Sequence, residues 1–93
     1  MIQTFRCKDT EKIFNRYFSK KFPADIQRKA LLKLRSLDNA RDINDLRNPP
    51  SNHLEILGGD RKGERSIRIN KKWRICFIWK GSHAYNVEII DYH

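Results

Sequence analysis

From Glu64 to the C-terminus the chain keeps a period of two, with connections too short for anything but hairpins. "ERSIRI", "WRICFIW" and "AYNVEIIDY" alternate apolar with polar residues and are joined only by "NKK" and "KGSH". A parallel neighbour needs a crossover of a dozen or more residues, so these three strands pair antiparallel in chain order. If one face is buried, alternation also fixes the register. Ile67 and Ile69 share a face, as do Trp73, Ile75, Phe77 and Trp79, and Tyr85, Val87 and Ile89. To bring these sets together, Ile69 must oppose Trp73, Trp79 oppose Tyr85, and Phe77 oppose Val87. Arg68 then falls opposite Arg74, and Arg74 opposite Ile90, one step from Asp91 and two from Tyr92. Tyr92 lies on the arginine face, Asp91 on the apolar side near Trp73, and His93 just past the strand end.

Upstream the period lengthens. "MIQTFR" reads as a short strand. Asp9 can cap a helix in which Ile13, Phe14, Tyr17 and Phe18 recur at helical spacing through "TEKIFNRYFSKKF". Pro23 starts a second helix, where Ile26, Ala30, Leu34 and Leu37 form one stripe thickened by Leu31, with Arg28, Lys29, Lys33 and Arg35 off it. The pair is expected to form a hairpin on the sheet. "RDINDLRNPPSNH" is a loop with one helical turn around Ile43 and Leu46, ended by Pro49 and Pro50. "LEIL" is a short strand and "GGDRKG" a turn. The fold class is α+β: two N-terminal helices packed on a small mostly antiparallel sheet, in the order β-α-α-β-β-β-β. A chain of 93 residues makes a single domain, 1–93, with a thin core.

The formal charge is +9, and residues 61–80 hold eight basic side chains against the single acid Glu64. These are Arg61, Lys62, Arg65, Arg68, Lys71, Lys72, Arg74 and Lys80. That bias favours a polyanionic partner and concentrates charge on one end and one face of the sheet. No apolar run is long enough to span a membrane, and "MIQTFRCKDT" lacks the apolar centre of a secretory signal. Cys7 and Cys76 have no metal-ligand spacing and read as free thiols of a cytoplasmic protein. Nothing supports a zinc or haem site, and no cofactor is expected.

Two arginines facing each other across a strand pair repel by roughly 0.2–1 kcal/mol. An anion between them relieves that, and a guanidinium fork suits phosphate. RNA cleaves when its 2′-hydroxyl attacks the adjacent phosphate. A protein can supply a base, a cation for the phosphorane and an acid for the leaving 5′-oxygen, with no metal. Arg74, assisted by Arg68, can stabilise the phosphorane. His93, with an ordinary pKa of about 6.5, can donate or accept at neutral pH. Asp91 can orient that imidazole or act as the base, and Tyr92 can position the 2′-hydroxyl or stack on a nucleobase. The same residues also describe passive RNA binding or a structural salt-bridge cluster.

"LEILGGDRKGERSIRINKKWRICFIWKG" followed by "VEIIDYH" closely resembles the HigB toxins of the RelE superfamily, and "LDNARDINDLRNPPSNHLEIL" fits them more loosely. The resemblance spans essentially the whole chain and implies a RelE-like fold. It implies a type II toxin that cleaves mRNA in the A site of the 70S ribosome. The implied partner is a HigA-type antitoxin with a helix-turn-helix domain, through which alone the complex reaches operator DNA. The family's functional positions carry over at Arg74, Asp91, Tyr92 and His93, with Arg61 and Arg68 at basic positions of the subgroup; Lys62, Arg65, Lys71 and Lys72 complete the expected RNA and ribosome surface. Some members place a His and a Lys three apart before the "GDR" turn. Here those positions are Glu55 and Gly58, so either Glu55, as an accessory base, or Asp91 takes the base's role, or the ribosomal RNA contributes more, or cleavage is slow. A non-cleaving translation inhibitor and a structural partner of the antitoxin are the alternatives.

Overall fold

The structure is a computed structural model that describes residues 1–91. Helices α1 (Lys8–Phe14) and α2 (Ala24–Asn39) precede a four-stranded antiparallel sheet of β1 (Glu55–Ile56), β2 (Arg65–Arg68), β3 (Trp73–Lys80) and β4 (His83–Asp91), paired in chain order. Short 3-10 turns at Ile43–Arg47, Pro50–Asn52 and Gly59–Arg61 fill the connections.

The stripe on α2 is the buried one: Ile26, Ala30, Leu34 and Leu37. It packs with Ile67, Ile69, Ile75, Phe77, Val87 and Ile89 from one face of the sheet. Trp73 closes one end of this core by meeting Phe22 edge-on at 5.6 Å. The turn around Ile43 and Leu46 forms as the sequence indicates. Its capping box satisfies the N-terminal end, with the Asp42 side chain accepting from the Asn44 N–H and the Asp45 side chain accepting from the Asp42 N–H. Three side-chain bonds hold Asn52 beneath it, its amide donating to the carbonyls of Leu46 and Asn48 and its Oδ1 accepting from Lys33 Nζ.

The first helix is shorter than its apolar spacing suggests. Arg16 sits at φ 69°, which ends the helix and turns Tyr17 and Phe18 into solvent, 69% and 65% exposed. Asp9 does not cap it. Cys7 occupies that position, and Asp9, inside the first turn, accepts from Ser19 Oγ at 2.8 Å. The N-terminal strand is reduced to two parallel bridges onto β4, Ile2 with Ala84 and Phe5 with Val87.

The β2–β3 register is the one alternation dictates: Arg68 opposite Arg74, with the Ile69 N–H donating to the Trp73 carbonyl at 2.8 Å. Asn70 fixes that turn by accepting from the backbone of Lys72 and Trp73. Trp73 pairs with Asp91 and Arg74 with Ile90, as expected. Beyond Cys76 the expectation fails. A bulge between Cys76 and Ile78 places Tyr85 opposite Ile78, not Trp79, and Trp79 opposite Ala84. Asn86 is the extra residue, at φ 53°. Its N–H donates to Thr4 Oγ1 at 2.8 Å, so the N-terminal segment holds the bulge in place. The slip turns Tyr85 off the core face and puts Ala84 into it, fully buried beside the larger Trp79.

Candidate functional site

The sheet face away from the helices carries the arginines. Across its strands run two rows, Arg68–Arg74–Ile90 and Glu55–Ser66–Cys76–Glu88. Arg74 lies in the first row and reaches across to Ser66 and Glu55 of the second, yet only 2% of its surface is exposed. Its Nε donates to Ser66 Oγ at 2.8 Å, and Nη2 donates to the His53 carbonyl at 2.6 Å and the Ser66 carbonyl at 3.5 Å. Nη1 stands 3.8 Å from Glu55 Oε1, whose side chain is 43% exposed. Among the described residues, Arg74 is thus oriented by hydrogen bonds and faced by a carboxylate, rather than left open to an anion shared with Arg68. Burying a guanidinium requires such acceptors.

His53 is the partner that sequence reasoning missed. It sits at φ 43° after the Pro50–Asn52 turn, which turns its carbonyl to Arg74, 21 residues away. No sequence signal marked it, because its φ is set only in the folded chain. Ser66 was legible only as a residue of the arginine face.

The other expected basic residues divide. Arg61 is spent inside the protein: it reaches Glu88 at 2.6 Å and Glu64 at 3.2 Å, and Glu88 also meets Arg6 at 3.5 Å. Glu88 accordingly pushes the Arg61 pKa up, against the effect of burial. Lys62, Lys71 and Lys72 are exposed and Arg68 half-buried. Lys72 Nζ lies 3.6 Å from Asp91 Oδ2 and over the Trp73 ring. Arg65 points with Ile67 to the other side of the sheet from Arg68 and Arg74. Asp91 pairs with Trp73 and so belongs to that same side. Tyr92 and His93 lie outside the described residues.

Positive charge is not confined to the sheet. Residues 8–39, which include both helices, hold nine basic side chains against four acidic. Exposed Tyr17 and Phe18 lie within this second basic region, so the concentration expected in residues 61–80 is half of a two-sided distribution.

Burial pushes the Cys76 thiol up to about 11, with Arg61 opposing. Cys7 is pushed up by burial, but hydrogen bonds from Thr10, Asp9 and Lys21 outweigh this and leave it below the ordinary thiol value. Both cysteines are free. No helix among the described residues is long and apolar enough to cross a membrane, and no group of three or more His, Cys, Asp and Glu among them could hold a metal.

Two helices on one face of a small antiparallel sheet is an arrangement shared with solved bacterial proteins. The chain aligns over 100% of its length, and 95% of the other chain, with a structure described as the YoeB–YefM complex from Staphylococcus aureus, at a TM-score of 0.62 and 21% identity; that likeness is one of fold. The family model for the RelE-like toxin of type II toxin-antitoxin system HigB matches residues 3–93, and the chain belongs to that family. It is 44% identical over 64 residues to Toxin HigB-1 of Vibrio cholerae serotype O1, covering 69% of this chain and 67% of that one. It is 32% identical over 93 residues to Endoribonuclease HigB of Proteus vulgaris, covering both chains completely.

Proposed function

We propose that this toxin is a cytoplasmic endoribonuclease that cleaves mRNA in the ribosomal A site by attack of the 2′-hydroxyl on the scissile phosphate. The observation that carries the reading is the Glu55–Arg74 pair: a half-exposed carboxylate 3.8 Å from an oriented, buried guanidinium. Glu55 can take the 2′-hydroxyl proton while Arg74, whose field is little screened at 2% exposure, stabilises the phosphorane. Glu55 moves off Nη1 as the phosphate arrives. Asp91 stands on the Trp73 side of the sheet, away from Arg74, so its part is to orient His93 and the base role falls to Glu55. His93 protonates the leaving 5′-oxygen, and Tyr92 positions the 2′-hydroxyl. Arg68, Lys62, Lys71 and Lys72 hold flanking phosphates. The partner that silences the toxin is a HigA-type helix-turn-helix antitoxin, through which the complex reaches operator DNA.

Mapping mRNA 5′ ends after brief expression tests this. Wild type is expected to create new A-site ends; Glu55→Gln to lower them about 100-fold, the low end of a general-base contribution; and Arg74→Ala or deletion of His93 to abolish them. One observation favours a second reading, a toxin that blocks the ribosome without cutting: Arg74 is already met by Ser66, His53 and Glu55. Growth arrest by wild type with no new 5′ ends would establish the blocker and sink the nuclease.

A further inference from the structure

At the β1 edge, on the side of the sheet away from Arg74, a cleft of about 200 Å³ is lined by Ile43, Arg47, Leu54, Glu55, Ile56 and Arg65. We propose that this cleft is a second phosphodiester subsite, in which Arg47 and Arg65 grip the RNA strand next to the cleavage position. The inference rests on the endoribonuclease reading and extends it to a neighbouring nucleotide.

Arg65 makes the case. Its Nε is buried and has no hydrogen-bond acceptor among the described residues. The residue is held on a strand, opposite Ile56 on one side and Phe77 on the other, so this is not a side chain on a loose loop. A desolvated guanidinium donor without an acceptor is costly and rare in folded proteins, and an anionic ligand removes the defect. Arg47 supplies the second fork. Its Nε donates to Asn44 Oδ1 at 2.9 Å, within the turn fixed by the Asp42–Asp45 capping box, which pre-orients its remaining donors.

The charge balance points the same way. Two arginines share the cleft with one acid, and that acid, Glu55, is drawn to Arg74. The volume suits a phosphate or a single sugar-phosphate and falls below the range of pockets for larger ligands. Leu54 and Ile56 form an apolar wall against which a ribose can lie. Glu55 belongs to both this cleft and the Arg74 pair. A strand seated on Arg47 and Arg65 reaches the proposed base by passing round the β1 edge, where Ile56 faces the cleft side and Glu55 the Arg74 side. That continuity favours RNA over an acidic peptide.

The test is fluorescence anisotropy with a labelled 2′-O-methyl RNA hexanucleotide, which binds but cannot undergo 2′-hydroxyl attack, titrated across salt concentrations. Relative to wild type, Arg65→Ala and Arg47→Ala are each expected to bind about tenfold more weakly and to lower the salt slope by about one. Arg65→Lys keeps the slope but not the affinity, which separates loss of the fork from loss of charge; thermal melts check that each variant is folded. Wild-type affinity and slope in both alanine variants would overturn the subsite, as would absence of RNA binding by wild type. If inorganic phosphate binds in an Arg65-dependent way but RNA affinity is unchanged in Arg65→Ala, the cleft is a free-phosphate site and the proposal falls. Cleavage in cells is read separately by 5′-end mapping, so the nuclease can survive the loss of this subsite.

Discussion

Arg74 spends its donors on Ser66 and His53 and its charge beside Glu55, so it supports the fold as well as the proposed chemistry. Arg74→Ala leaves a buried hydroxyl and two backbone carbonyls short of a donor, and is expected to lower stability by about 1–3 kcal/mol in urea denaturation. A variant with lost toxicity must therefore be compared at matched folded concentration. The two cysteines make a sharper contrast. Cys76 is fully buried with a thiol pushed up to about 11, and Cys7 is half-buried with Lys21 Nζ 3.4 Å from its Sγ. A thiol-reactive dye at pH 7.5 should label Cys7 and spare Cys76 until the protein unfolds. Because the folded state holds the Cys76 proton more tightly than the unfolded chain does, its contribution to stability is complete below the unfolded thiol pKa. That contribution is lost as pH rises from about 9 to about 11. Cys76→Ser should flatten that part of the pH–stability curve, and an unchanged slope would refute the assignment.

At the scale of elements, the β3–β4 hairpin shows how one residue re-aims a strand. Strict alternation puts Tyr85 with Val87 and Ile89. The extra residue Asn86, at φ 53°, moves Tyr85 to the arginine face and Ala84 into the core. Asn tolerates the left-handed region better than a β-branched residue does. Asn86→Val is expected to cost about 1–2 kcal/mol, and Asn86→Gly to cost little, by thermal or urea unfolding. Equal stability of the two variants would mean that the bulge is not held by that conformation. The shortening of α1 has the same kind of cause. Arg16 leaves the helical region, and Tyr17 and Phe18 lose their place on the core stripe although their spacing fits it.

Over the whole molecule, positive charge occupies both the helical region 8–39 and the sheet region 61–80. Part of the second is neutralised internally, since Arg61 is held by Glu88 and Glu64. Binding to 70S ribosomes is expected to weaken steeply with salt. Reversing Lys71 and Lys72 to Glu should reduce affinity more than reversing Arg61, which is already paired. Salt-independent binding would remove the basic surface as the docking element.

Much of this was legible in the sequence because it depends on neighbours. Period two fixes the faces of β2 and β3 and the Arg68–Arg74 opposition, and period 3.6 fixes the α2 stripe. Short connections leave only hairpins to join the last three strands. The rest depends on partners that are distant along the chain. The His53 carbonyl that takes the Arg74 donor is 21 residues away, and the Thr4 hydroxyl that holds the Asn86 bulge is 82 away. No local pattern encodes such meetings. They arise when the chain closes on itself, and a buried polar group must accept whichever partner that closure brings within reach.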